Sequence, residues 1–285
     1  MFPNSDGSSN FSLINSQLKY YPFTSSKPIL SNMAQDKEAN TILEDFVSML
    51  EPALGEMLIG VYLYGSLATG DFNESQSDID LLIVIRNIID GKTLDLLTSF
   101  HKSFNEKHPE WQKRIDVAYV EKNALWAFQT KSYKSIISNG NGLLEIVDSP
   151  KYYLIDWYKA QETGVPLFGP NVSEVMPHIS ATEFKQAIHD YLHTNLEKDA
   201  RESEKRGQQA YVILTGCRSL YAYKFAKHIS KTSGAEWAID QYPQWRNLIQ
   251  KAVEWSRNKA VDAVVDKDNQ EATIKLVDFM VKEAE

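Results

Sequence analysis

Residues 63–85 read LYGSLATGDFNESQSDIDLLIVI, and the reading of this stretch decides the fold. Apolar strings of strand length sit on either side of a break at Gly65-Ser66 and a polar loop. Met57 to Tyr64 is read as one strand, residues 67–77 as a short helical turn and loop, and Asp78 to Ile85 as a second strand. Residues two apart in a strand project to the same side. Asp78 and Asp80 are therefore expected to point together, with Ile79 and Leu81 on the opposite side. Two carboxylates about 4 Å apart repel by about 4 kcal/mol at an effective dielectric of roughly 20. A cation, a shared proton or basic neighbours must compensate, and a hard divalent ion such as Mg²⁺ is the simplest choice. Gly65 permits close approach of a phosphate to the backbone, and Ser66 opens a helical turn whose free N–H groups hold phosphate oxygens. A phosphate cradle beside a metal pair suits in-line displacement at phosphorus.

Outward from this unit, residues 39–54 carry Ile42, Leu43, Phe46, Met49 and Leu50 at helical spacing, and residues 92–107 repeat the pattern. Arg114 to Val120 reads as a third strand, Leu154 to Glu162 as a helix and residues 165–169 (VPLFG) as a short strand. Beyond about residue 180 the patterns are helical only: 181–204, 208–229, 244–258 and 270–284. Strands mixed with helices, then helices alone, predict an α/β domain with a mixed sheet and flanking helices followed by an all-α helical bundle domain. The expected boundaries are a disordered tail at 1–38, the α/β domain at 39–178 and the helical domain at 179–285. The seam falls in Pro170 to Ser180. Met33, followed by a helix-like opening, is an expected alternative start.

A third acid, Asp116, lies inside the third strand, where a carboxylate is costly without a partner or a task. It either ligates metal or takes a proton from an attacking hydroxyl, with Glu121 as the fallback base. The plainer alternative is an edge-strand carboxylate paired with Arg114 or a lysine.

The chain has 285 residues, 30 Lys and Arg against 38 Asp and Glu, and a net charge of −8. That balance argues against a nucleic-acid partner, since polynucleotide affinity comes from clustered cations. No run approaches the roughly 20 apolar residues of a membrane span, and the N-terminal stretch has no secretory or mitochondrial signal, so a cytoplasmic monomer is expected. The single Cys217 excludes an internal disulfide. His189 and His193, four apart with no third ligand signalled, read as ordinary helix residues, and Gly140-Asn141-Gly142 reads as a turn.

The motif at 63–85 resembles the nucleotidyltransferase superfamily signature, a Gly-Ser turn followed by an acid pair on the next strand. Over about residues 40–260, with VPLFGP and the segment ILTGCRSLYAYKFAKHISKTSGAEWA at 213–238, the chain resembles the aminoglycoside (3″)(9) adenylyltransferases of streptomycin and spectinomycin resistance. The resemblance implies Gly65 and Ser66 at the phosphates, Asp78 and Asp80 as magnesium ligands, and Asp116 as catalytic base where the family usually carries glutamate. It implies Arg218 and Lys231 on the ATP phosphates and Trp255 flanking the nucleotide. A −8 protein must supply cations locally to hold ATP, which gives Arg218 and Lys231 a physical rationale. On sequence alone, Trp237, Trp245 and Trp255 read as core packing. The implied activity moves AMP from Mg-ATP to a hydroxyl of a small acceptor, releasing pyrophosphate. Gln208 stands where the family carries a drug-contacting acid, and Glu204 and Asp199 are candidate replacements. Transfer to a different small molecule or a protein, and nucleotide binding without turnover, stay open as alternatives.

Overall fold

The apolar strings around the Gly65-Ser66 turn pair as antiparallel neighbours, β1 (Leu58–Tyr64) and β2 (Ile79–Ile85). The structure, a computed structural model, describes residues 37–72, 77–86, 89–128, 133–138, 143–149, 151–257, 263–264 and 267–285. The expectations for residues 1–36, for Met33 and for the Gly140-Asn141-Gly142 turn lie outside the described residues. Four more strands complete the sheet: β3 (Ile115–Glu121), β4 (Lys134–Ser138), β5 (Leu144–Asp148) and β6 (Val165–Phe168). Their order is β5-β4-β3-β2-β1-β6, parallel only between β2 and β3.

The helices are α1 (Lys37–Leu54), α2 (Gly65–Thr69), α3 (Gly91–Lys107), α4 (Lys122–Ala127), α5 (Leu154–Thr163) and α6 (Val172–Val175). Then come α7 (Ala181–Tyr191), α8 (Glu197–Glu202), α9 (Arg206–Phe225), α10 (Lys231–Gln241), α11 (Arg246–Arg257) and α12 (Lys267–Glu283). A π-turn at Leu192–Leu196 joins α7 to α8, so the helix expected over 181–204 runs through three consecutive segments and ends at Glu202. The helix expected over 208–229 stops at Phe225, where Ala226 takes a left-handed conformation (φ 52°). Helix α1 begins at Lys37, two residues inside the expected tail.

The near-continuous apolar sequences of β1 and β2 are explained by burial on both faces. Val61, Leu63, Ile79, Leu81, Ile83 and Ile115 belong to one core with Phe46 of α1 and with Phe100 and Phe104 of α3. Tyr62, Tyr64, Leu82, Val84 and Val120 belong to a second core that runs through Trp157 and Ala160 of α5 into the C-terminal helices. Each fully buried aliphatic side chain contributes about 1.5–3 kcal/mol. The second core ties the sheet and the helices together, so the acid-bearing side of the sheet faces the helices.

Close packing sets one helix pair. A Cβ at Gly234 of α10 would come within 2.8 Å of the Cα of Arg218 on α9, so the missing side chain lets the two helices touch there. That contact carries Lys231, the first residue of α10, toward Arg218. No helix among the described residues is long and apolar enough to cross a membrane.

Candidate active site

Register places the acids. Asp80 pairs with Tyr64 across the antiparallel β1–β2 ladder and with Asp116 across the parallel β2–β3 ladder. Directly opposed residues share a face, so Asp80 and Asp116 stand side by side on the face turned to the helices. Asp78 lies one residue before β2 and is exposed. Its approach is held by Arg114, which donates to the Ser77 carbonyl at 3.0 Å and lies 4.2 Å over the Trp111 ring, and by the Ile79 N–H donating to Arg114 O at 2.8 Å.

Gly65 is required twice over. Its φ of 75° is left-handed, and a Cβ there would collide with the Asp80 carboxylate. The turn then enters α2, tied off by Asp71 N–H donating to Ser66 O at 3.0 Å and by the Thr69 hydroxyl donating to Gly65 O at 3.2 Å.

Facing this turn is a cavity of about 730 Å³ between the sheet, α5 and the C-terminal helices. Gly65, Ser66, Asp78, Asp80 and Asp116 line one side, while Arg218 of α9 and Lys231 of α10 line it from the helices. Seven of the eight residues to which the resemblance gives a role therefore meet in one cavity. Trp255 does not line it. It packs half-buried against the second core along the stripe of Leu248, Ile249 and Ala252, and its neighbours Ser256 and Arg257 reach the cavity instead. Glu121, Asp199, Glu204 and Gln208 are also outside the lining. Gln208 Oε1 instead accepts the N–H groups of Glu204 and Lys205 at 3.1 and 3.0 Å, closing the start of α9.

Among the lining residues that were not read from the sequence are Asp156 and Lys159 of α5, Tyr211 of α9 and His228 in the loop before α10. Lys159 Nζ binds Asp156 Oδ1 at 2.7 Å, and Lys231 Nζ lies 4.9 Å over the Tyr211 ring. The i,i+3 spacing of Asp156 and Lys159 was visible, but it marks surface pairs just as often.

Charges oppose each other across the cavity. Burial pushes the Asp80 carboxyl up to about 7; Asp156 and Asp116 add to the rise, while Lys159 and Arg218 pull against it. Burial also raises Asp78, with Lys231 and Arg114 pulling it back. Lys231 is brought down to about 8 by burial and by its cationic neighbours Arg218 and Lys159, against the pull of Asp80 and Asp78. Burial, Lys159 and Arg218 hold His228 neutral, down to about 2, and its Nε2 is buried with no hydrogen-bond partner among the described residues. Each cluster is destabilised by its own kind. A divalent cation at the acids and a polyphosphate at the bases would relieve both.

The donor set fits magnesium. Among the described residues no three His, Cys, Asp or Glu side chains form a group able to hold a metal by themselves. Mg²⁺ characteristically takes one or two carboxylates and completes its shell with substrate phosphates and water. Asp78 and Asp80, lining one cavity and both acting on Lys231, offer that arrangement. The stacked rings of His189 and His193, with centroids 4.2 Å apart, lie outside the cavity lining.

A mixed sheet carrying an acid pair opposite a Gly-Ser turn, joined to a helical domain that presents cations, defines a nucleotidyltransferase. Residues 41–140 match the family model of the nucleotidyltransferase domain, and residues 174–283 match that of the aminoglycoside adenylyltransferase C-terminal domain. The chain belongs to the nucleotidyltransferases that carry this second domain, and it is an enzyme of the adenylyltransferase type. It is 24% identical over 224 residues to a spectinomycin 9-adenylyltransferase of Staphylococcus aureus, covering 75% of this chain and 83% of the relative. It is 26% identical over 225 residues to an aminoglycoside (3″)(9) adenylyltransferase of Shigella flexneri, covering 75% and 84%. In fold it is similar to the crystal structure of a spectinomycin adenyltransferase from Enterococcus faecialis with ATP and spectinomycin. The TM-score is 0.64 at 18% identity, over 85% of this chain and 98% of that one.

Proposed function

We propose that the chain transfers AMP from Mg-ATP to a hydroxyl of an aminoglycoside or aminocyclitol of the streptomycin or spectinomycin type, releasing pyrophosphate. The observation that carries this reading is the single cavity in which Asp78, Asp80 and Asp116 confront Arg218 and Lys231. Relatives named for spectinomycin and aminoglycoside adenylylation, and a fold neighbour crystallised with ATP and spectinomycin, support the acceptor class.

The triphosphate lies between the Gly65-Ser66 turn and the cations Arg218, Lys231 and Lys159. Asp78 and Asp80 would hold magnesium, which supplies charge neutralisation at the α-phosphate. Asp116 accepts the proton of the attacking hydroxyl, whose oxygen bonds to the α-phosphorus as the bond to the bridging oxygen of pyrophosphate breaks. Arg218 and Lys231 stabilise the charge that grows on that leaving group. Trp255 supports the α11 wall from behind. The assigned domains are 39–178 for the sheet chemistry and 179–285 for the helical cations, and the work is done in the cytoplasm, where ATP is supplied.

The test is Asp80→Asn, read by pyrophosphate release. A loss of at least about 10²-fold with the fold retained is expected, in line with removal of other preorganised electrostatic elements. Wild-type turnover in this variant would refute the reading. A different small acceptor is the second reading, favoured by the absence of Asp199, Glu204 and Gln208 from the cavity lining.

A further inference from the structure

The cavity is larger than a triphosphate site needs. Its far wall is built from β3, β4 and α5 and is lined by Ala118, Val120, Ser135, Ser138, Tyr153 and Trp157. Apolar and aromatic surface with a few hydroxyls suits a ring compound and not a polyphosphate. Apart from Asp116 at its edge, the only acidic side chain described on that wall is Asp156, beside its α5 partner Lys159. We propose that Asp156 takes an ammonium group of the acceptor and so determines this enzyme's preference for a cationic, polyhydroxylated ring.

This assignment rests on the adenylyltransferase reading above and identifies the residue that discriminates among acceptors. The acids expected for that task from the sequence, Asp199 and Glu204, do not line the cavity, and Gln208 closes a helix start. Asp71 lines the cavity but is exposed, on the side of the phosphate turn, 3.4 Å from the Thr69 hydroxyl. Asp156 instead belongs to the electrostatic surroundings of Asp80, Tyr64 and Tyr153, on the side where Asp116 receives the acceptor's proton. Its side chain is 42% exposed, open to a ligand, while that of its partner Lys159 is 12% exposed. In the free protein Lys159 holds the carboxylate at 2.7 Å. A bound triphosphate gives Lys159 a second anion, and an acceptor ammonium gives Asp156 a second cation. The aromatic wall adds cation–π attraction for the same group.

The experiment measures KM for spectinomycin, streptomycin and Mg-ATP with wild type, Asp156→Asn and Asp156→Glu. Asp156→Asn is expected to raise the acceptor KM at least about tenfold, the worth of one charge-assisted contact, while the Mg-ATP KM moves by less than about threefold. Asp156→Glu, which keeps the charge, is expected to stay within about threefold of wild type for the acceptor. An unchanged acceptor KM in Asp156→Asn overturns the assignment, and so does a loss confined to kcat and the Mg-ATP KM, which would make Asp156 a positioning residue for Lys159. If wild type adenylylates neither drug, the adenylyltransferase reading fails at the acceptor and this assignment fails with it. If wild type turns over and only the Asp156→Asn effect is missing, this assignment fails alone.

Discussion

Asp80 sits where a carboxylate is least comfortable, half-buried against Gly65, between Tyr64 and Asp116 in the sheet, with Asp156 adding to the repulsion. A carboxyl pushed up to about 7 from 3.8 binds more protons in the folded than in the unfolded chain between those values. Its contribution to stability therefore falls as pH rises from about 4 to 7 and stays low above that. The isosteric Asp80→Asn removes the charge, so the metal-free variant is expected to melt at the same temperature as wild type or higher at pH 8. A Tm several degrees lower would mean that the carboxylate stabilises the fold. Lys231 shows the converse. Its folded value of about 8 lies below the usual 10.5, so the unfolded chain binds more protons between these values, and its contribution to stability rises with pH across that window. A triphosphate beside it favours the charged form. ATP binding near pH 8.5 is expected to take up a fraction of a proton, seen by calorimetry in buffers of different ionisation enthalpy, and Lys231→Met is expected to abolish that uptake. Uptake that persists in the variant would place the titrating group elsewhere. The acid pair and Asp116 were legible because residue type and spacing suggest their chemistry, whereas Arg218 and Lys231 were marked by the family resemblance, with the need for local cations in a −8 chain as its physical support. Lys159 and Asp156 were not legible, because nothing in the sequence separates an inward i,i+3 pair from a solvated one.

Helix α10 is the element least visible in the sequence and one of the most consequential. Its buried positions are Gly234, Ala235 and Ala238, small residues that leave no apolar periodicity to read. They permit close packing on α9, and that packing brings Lys231 to Arg218. Gly234→Leu is expected to push α10 off α9 and raise the Mg-ATP KM at least about tenfold, since core overpacking costs about 1–3 kcal/mol and displaces a phosphate contact. An unchanged KM would show that α10 does not position the cation. Strands β4 and β5 were also missed. Their five-residue sequences, KSIIS and LEIVD, are too short to show alternation, and they acquire strand identity only by pairing with β3 and with each other. By contrast β1 and β2 were read to within one residue, because a strand buried on both faces is apolar along nearly its whole length.

At the scale of the whole molecule, the two parts of the chain divide the chemistry. The sheet side carries the acids and the Gly65-Ser66 turn, the helices carry the cations, and the second hydrophobic core joins the two around the cavity. Order along the chain, strands mixed with helices first and helices alone afterwards, was enough to foresee the α/β part and the helical part that follows it. The wall contributed by α5 was not foreseeable, because Leu154–Thr163 reads as an ordinary amphipathic helix until the sheet and α9 enclose it. The account stands on one claim, that the cavity joins AMP to a cationic ring alcohol. The most direct measurement is the product mass after incubating the protein with Mg-ATP and a panel of aminoglycosides and aminocyclitols. The account predicts at least one member heavier by a single adenylyl group, with one equivalent of pyrophosphate. Unmodified drugs throughout, in the presence of bound ATP, would contradict it.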